Sequence, residues 1–290
     1  MKQICAITGS NGYVGGCLKN YFAARGWEIF ELTRRPRPNS RSALFQLRDD
    51  VSPQLLSGVT ALIHCAYDFT PLRWNEIAAA NVDGSRKILE AAREAKIPKI
   101  IFVSSISAFA GCRSLYGRAK LEIEKIALDY GALVIRPGLV YGGGSGGMFG
   151  KLAEQIKKSA LVPMIGGGSQ IQFLVHSEDL CSFIERYADG AVKISPRILT
   201  AADEQPWPFK KLLLEIAKGL NKRPVFIPLP WRLVWLGLKT TELCGLRLNF
   251  RSDSLVSLMY QNPNPDFSMN AGVGLTCRPV DKSESVVGSP

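Results

Sequence analysis

The chain has 290 residues, 46% hydrophobic and 21% charged, which fits one large folded domain or a domain with an appendage and excludes a disordered chain. Its net charge of +11 calls for an anionic partner, yet no basic run exceeds a few residues and no zinc-finger or RNA-binding pattern accompanies it, so nucleic acid is not expected. Seven scattered cysteines without a Cys-x-x-Cys pair, a start too short for a leader and no run of 18 apolar residues predict a cytoplasmic protein with no membrane association.

The first strand is "QICAIT" (3–8), and "TGSNGYVGG" follows it directly. Gly9, Gly12 and Gly15 stand three apart, and helical periodicity begins behind them. The first glycine allows a tight turn, the second lets backbone approach a pyrophosphate, and the third lets helix pack on sheet. The phosphates then meet the free N–H groups of a helix N-terminus. Strand before and helix after are the context that makes a glycine triplet a dinucleotide site. Asn11, Tyr13 and Val14 of the same turn are counted among the cofactor-binding residues.

The second strand, "WEIFEL" (27–32), ends in Thr33 and then Arg34, Arg35 and Arg37. An NAD site carries an acid there, about 20 residues beyond the glycines, for the ribose hydroxyls. Guanidinium groups bind the 2′-phosphate that a carboxylate would repel. NADP(H) is therefore favoured, with NAD(H) and a solvated basic loop as the alternative.

Further strands are "ALFQL" (43–47), "VTALIHCA" (59–66), "KIIFVSS" (99–105) and "ALVIRP" (132–137), with helical patterns over 75–95 and 116–130. The strand runs are almost continuously apolar, as a sheet covered on both faces requires. The fold class is α/β, a doubly wound parallel Rossmann sheet with a smaller C-terminal substrate lobe. Residues 1–140 with a return over about 171–200 form the cofactor domain. Residues 141–170 and 201–275, rich in glycine and then in proline with bulky apolars, form the lobe, and 276–290 a loose tail.

"SLYGRAK" puts Tyr116 and Lys120 four residues apart on one helix face. A phenol titrates near about 10, and a neighbouring ammonium is expected to favour its ionised form. Ser104, Ser105 and Ser107 end the preceding strand at the sheet edge where ligands bind.

In order along residues 3–190, "TGSNGYVGG", "ALIHCA", "NVDGSRKILEAA", "FVSSIS", "YGRAKLEIEK", "VIRPGLVYG" and "FLVHSEDL" give the chain its resemblance to the extended short-chain dehydrogenases/reductases, the NAD(P)-dependent epimerase/dehydratase family. The resemblance implies Tyr116 as general acid/base on a substrate oxygen and Lys120 as the group that lowers its pKa and holds the nicotinamide ribose. Ser105 would bind the same oxygen, with Ser104 or Ser107 as alternatives, and Ser104 is also counted with the cofactor contacts. Asn81 would position backbone or a water, Ala66 and Tyr67 would line the cofactor groove, Gln46 and Leu47 would lie near the adenine, and Pro137 and Gly138 near the carboxamide.

The substrate implied is a carbonyl or secondary alcohol of a nucleotide-linked sugar. A reductase of small or lipid-like carbonyls and a non-catalytic dinucleotide sensor are the alternatives. Only eleven residues separate Ser105 from Tyr116, shorter than the family's usual loop, so the pocket rim must differ. A homodimer through the Tyr116 helix and its neighbour is implied, with a monomer as alternative. His64 and His176 read as packing or hydrogen-bonding residues. Residues 231–246 read as a helix covering the substrate pocket rather than an interfacial one, and Arg232, Arg247 and Arg251 are candidates to meet a substrate phosphate.

Overall fold

The computed structural model describes residues 3–279 apart from 39, 145, 196, 247 and 249. Arg247 and positions 280–290 of the expected tail lie outside the described residues.

The first half alternates strand and helix: β1 (Ile4–Thr8), α1 (Tyr13–Ala24), β2 (Glu28–Thr33), β3 (Ser42–Leu44) and β4 (Ala61–His64). Next come α2 (Trp74–Ile77), a π-helical turn at Ala78–Val82, α3 (Asp83–Glu94), β5 (Lys99–Val103), α4 (Leu115–Asp129) and β6 (Leu133–Pro137). The second half adds β7 (Leu139–Tyr141), α5 (Gly147–Lys158), β8 (Leu161–Ile165), β9 (Ile171–Gln172), β10 (Leu174–His176), α6 (Ser177–Ala188) and β11 (Ile198–Ala201). It closes with β12 (Trp207–Pro208), α7 (Phe209–Gly219), β13 (Val225–Leu229), α8 (Trp231–Leu243) and α9 (Ser252–Met259).

Seven parallel strands form the main sheet in the order β11-β6-β5-β4-β1-β2-β3. Residues of β1, β4, β5 and β6 point alternately into two apolar layers. One layer joins Leu62 and Phe102 to Ile88 of α3 and Ile123 of α4. The other joins Ile63 and Ile101 to Phe22 of α1 and Phe183 of α6. Because helices cover both faces, alternation between apolar and polar residues would bury polar groups, and the continuous apolar runs follow. Glu31 is the exception within β2: it is buried, and it accepts a hydrogen bond from Ser10 Oγ at 2.8 Å with Lys19 Nζ at 3.4 Å.

The lobe has a core of its own, in which Phe149, Trp207, Leu212 and Ile216 meet. Three two-stranded pairings hold it: β7 with β10 and β8 with β13, both parallel, and β9 with β12, antiparallel. Chain order departs from the expected tail at its start. Leu275 is in the core, and Arg278 donates to Asp179 at 2.7 and 2.9 Å and to Glu178 at 3.2 Å. Those acids open α6, so one guanidinium fixes the chain as far as residue 278.

Candidate active site

The glycine turn fits against the start of the loop after β4. Gly9 has φ +70°, and a Cβ there would lie 2.9 Å from the Ala66 backbone nitrogen; one at Gly15 would lie 2.3 Å from the Gly9 carbonyl oxygen. Only glycine meets both demands. Thr8 Oγ1 accepts from the N–H groups of Cys65 and Ala66, each at 3.1 Å, and lies 2.7 Å from His64 Nδ1. His64 Nε2 is 2.9 Å from Ser85 Oγ, and burial pushes the imidazole down to about 3, so it stays neutral. The histidine therefore serves to lock β1 to β4, the point where strand order reverses and α/β folds bind ligands.

Gly12 caps α1 with backbone alone and leaves the helix N-terminus facing this crevice. A bare glycine turn, free helix N–H groups and the switch point together suit a dinucleotide pyrophosphate. Asn11 Nδ2 donates to Thr33 Oγ1 at 2.7 Å, which ties the turn to the end of β2. Arg34 and Arg35 are exposed immediately beyond. Val14 is part of the sheet's apolar layer. Leu47 is buried with its carbonyl against Gly84 of α3, while Gln46 is exposed beside it.

Tyr13 departs from expectation. Its ring lies against Gly146 and Gly147, and its hydroxyl donates to the Gly142 carbonyl. The side chain pins Gly142, Gly146 and Gly147 to α1, because two glycines leave a slot for the ring, so only its backbone N–H remains at the helix N-terminus. Asn81 is wholly buried in the π-helical turn. Its Oδ1 accepts from the Asp68 N–H at 2.7 Å and its Nδ2 donates to the Asp68 carbonyl at 3.0 Å, so it fixes the backbone just past Ala66 and Tyr67.

Ser105, Tyr116 and Lys120 come together at the carboxyl end of β5. Ser114 Oγ caps α4 by accepting from the Gly117 N–H at 3.1 Å. A Cβ on Gly117 would lie 2.4 Å from the Ser107 carbonyl. That close approach is how eleven residues suffice between Ser105 and Tyr116. A hydrogen bond joins Tyr116 to Ser105, whose Oγ also accepts from the Ser107 N–H at 3.1 Å. Lys120 is buried, donates to the Val103 carbonyl at 2.8 Å, and has its ammonium 4.7, 5.4 and 6.0 Å from the ring centres of Phe102, Tyr67 and Tyr116.

The electrostatics correct one expectation. Burial pushes the Tyr116 phenol up to about 12, with only the Ser105 hydrogen bond acting downward. Burial likewise lowers Lys120 to about 8. Tyr67 (5.0 Å) and Phe69 (5.7 Å) pack on the Tyr116 ring. Desolvation is thus the larger influence on the Tyr116 phenol, which burial keeps in its protonated form at neutral pH.

Ser104 also differs from its expected cofactor contact. Its hydroxyl donates to Glu124 at 2.6 Å, and Glu124 is gripped by Arg136 through two bonds of 2.8 and 2.6 Å. The buried carboxylate of α4 needs that pairing, so Ser104 turns inward. Pro137 accepts from the Ile106 N–H at 3.0 Å and Gly138 donates to Ala201 at 3.0 Å, placing both at the carboxyl end of β6 beside Ser105.

Two residues of the site, Asp253 and Phe69, carried no sequence signal, and Arg251 takes a place other than the one expected. Asp253 at the start of α9 accepts from the N–H groups of Leu115 (2.7 Å) and Tyr116 (3.0 Å). Arg251 donates to the carbonyls of Phe69 and of Pro71, the latter at 2.8 Å, so this candidate phosphate ligand is engaged by backbone. Phe69 is 57% exposed and forms the outer wall beside Tyr116. In the 231–246 segment α8 leans on α9, where Glu242 accepts from Ser252 N and Oγ at 2.8 and 2.7 Å, and every α8 residue is at least partly exposed. Arg232 is exposed, next to Trp231.

Comparison with known proteins identifies the family. The model of the NAD dependent epimerase/dehydratase family matches residues 5–199. The chain is similar to ceramide reductase of Caulobacter vibrioides, 29% identical over 243 residues that span 79% of this chain and 74% of the relative. It is also similar to the decarboxylating sterol-4-alpha-carboxylate 3-dehydrogenase of Bos taurus, 25% identical over 252 residues, 75% of this chain and 70% of that one. Among solved structures, MoeE5 in complex with UDP-glucuronic acid and NAD shares the fold with a TM-score of 0.75 at 17% identity, over 97% of this chain and 96% of that one. The chain belongs to the NAD dependent epimerase/dehydratase family and is an NAD(P)-dependent enzyme of the short-chain dehydrogenase/reductase type.

Proposed function

We propose that the protein is an NADPH-dependent reductase of a carbonyl on an apolar, lipid-like substrate. The observation that carries this reading is the mouth at Tyr116. Tyr67 and Phe69 wall it with aromatic rings, and Arg251, one of the three arginines considered for a substrate phosphate, donates to the Phe69 and Pro71 carbonyls. The names of the ceramide and sterol relatives support a lipid-like substrate.

In this reading Gly9, Gly12 and Gly15 hold the pyrophosphate, and Arg34 and Arg35 take the 2′-phosphate beyond Thr33. Ala66 and Tyr67 line the groove, and Asn81 keeps their backbone in place. The bound nicotinamide supplies hydride. Ser105 Oγ binds the substrate carbonyl oxygen, and the Tyr116 hydroxyl gives it a proton as charge develops there. A phenol held near about 12 is protonated at neutral pH, which suits reduction. Lys120, near about 8, keeps its charge at neutral pH beneath the Tyr116 ring, where it stabilises the phenolate left after proton transfer.

Calorimetric titration of the purified protein with NADPH and then NADH tests the cofactor. Binding of NADPH at least tenfold tighter, about 1.4 kcal/mol, is expected, and Arg34→Ala with Arg35→Ala abolishes the preference. Equal binding of both cofactors by the wild type rejects the NADPH reading. NADPH consumption with long-chain ketones tests the substrate.

A nucleotide-linked sugar is the second reading, favoured by the UDP-glucuronic acid bound in MoeE5. It requires a nucleoside diphosphate to bind beside the cofactor, and saturable UDP binding to the NADPH complex would select it. A homodimer through the outer faces of α3 and α4 is part of the same proposal.

A further inference from the structure

Among the described residues nothing covers the apolar outer face of α8. Leu233, Leu236 and Leu243 are 66%, 56% and 77% exposed, and Leu246 and Leu248 just beyond the helix are 60% and 51% exposed. Spacings of three and seven residues put the first three on one side of the helix. The opposite side packs on α9, held by the Glu242–Ser252 bonds, so the leucines are not the inward stripe of a misassigned core helix. A run of exposed leucines on one helix is more than the scattered apolar residues of an ordinary surface.

Basic residues flank this face. Residues 205–251 carry nine lysines and arginines against Glu215 and Glu242, with Asp203, Glu204 and Asp253 just outside that stretch, and Lys239 lies 3.7 Å from Glu242. Arg232 and Lys239 fall beside the leucines on the helical wheel, and Lys222 and Arg223 are exposed at the entry to β13. Two copies meeting through α8 would bring like charge together. An acidic surface would neutralise it.

We propose that the outer face of α8 and the turn after it dock on an anionic lipid bilayer, with the leucines in the acyl boundary and the cations at the headgroups. Apolar residues on one side flanked by Arg and Lys are what an interfacial helix presents to such a surface. α9 follows α8 in the chain, and its first residues hold both the Tyr116 helix and the Phe69 loop. Docking therefore brings the membrane to the element that shapes the mouth. This reading does not rest on the proposed substrate, since binding to lipid is measured without turnover.

The test is co-sedimentation of the full chain with phosphatidylcholine vesicles, with and without phosphatidylglycerol. The expected result is binding to the anionic vesicles that weakens with salt. A triple substitution, Leu233→Ser, Leu236→Ser and Leu243→Ser, is expected to weaken it by roughly tenfold or more, given the transfer free energy of a leucine side chain. These positions are exposed, so an unchanged thermal melt verifies the fold, and Arg232→Glu tests the charge separately. No binding by the wild type, or equal binding by wild type and triple variant, overturns the proposal. So does a vesicle-free dimer in sedimentation velocity that the triple substitution dissolves, because the face then belongs to a second copy. A wild type that turns over NADPH and binds no vesicles rejects docking alone. Intact docking with no carbonyl reduction rejects the reductase reading alone.

Discussion

Two regions of the molecule hold the same helix by opposite means. From the sheet side, α4 is fixed by a buried polar ladder: Ser104 to Glu124, Glu124 to Arg136, and Lys120 to the Val103 carbonyl. From the lobe side, three consecutive residues do everything: Arg251 grips the Phe69 loop, Ser252 grips Glu242 of α8, and Asp253 grips the first turn of α4. The ladder is redundant and dry, so it secures the chemical groups against any single motion. The three-residue clip has no such backing, so it is where the lobe can adjust the mouth. Stability and substrate fit are thereby assigned to different residues.

Three substitutions break that comparison at different depths. Tyr116→Phe has the largest expected effect. It keeps the ring contacts with Tyr67 and Phe69 and removes only the hydroxyl. Turnover of the first carbonyl substrate found is expected to fall about 10²- to 10⁴-fold, the usual worth of a positioned proton donor, while the melting temperature stays put. Full turnover would remove Tyr116 from the chemistry and leave a dinucleotide-binding protein without a catalytic tyrosine.

Arg136→Met comes next and tests the ladder. The Glu124 side chain is 2% exposed, so the substitution leaves a carboxylate buried without its partner. Removing one member of such a pair costs about 3–5 kcal/mol, to be read by urea unfolding. A loss below about 1 kcal/mol would mean that the ladder is not what secures α4.

The contrast also explains what was legible in the sequence. The sheet half was readable because each of its demands is local. Continuous apolar runs gave β1, β4, β5 and β6, the glycine spacing gave the turn, and Tyr116 and Lys120 share a helix face by arithmetic alone. What stayed hidden are pairings across long stretches of chain. Asp253 caps a helix 138 residues earlier, and Arg251 reaches a carbonyl 180 residues away. The place of the Tyr13 ring was hidden for the same reason: the glycines that capture it lie beyond residue 140. The Tyr116 pKa was misjudged for a related reason. Sequence spacing put an ammonium nearby, but whether its charge or the surrounding rings prevail depends on Phe69 and Tyr67, which come from another loop.

Asp253→Ala is the smallest and most informative substitution. It removes the carboxylate that accepts from Leu115 and Tyr116, but Ser114 still caps the Gly117 N–H, so α4 keeps part of its cap. The expected cost is about 1 kcal/mol of stability, the ordinary worth of an N-cap, with a larger change in catalysis than that figure implies. The lost anchor lies at the backbone of Tyr116 itself, and a small displacement of a proton donor lowers kcat more than it weakens binding. Asp253→Asn, which retains one acceptor oxygen, is expected to restore most of the stability and part of kcat. A KM change at constant kcat would give a different answer: the clip would then shape only the mouth, through the Phe69 loop, and the ladder beneath α4 would hold Tyr116 in place without help from the lobe.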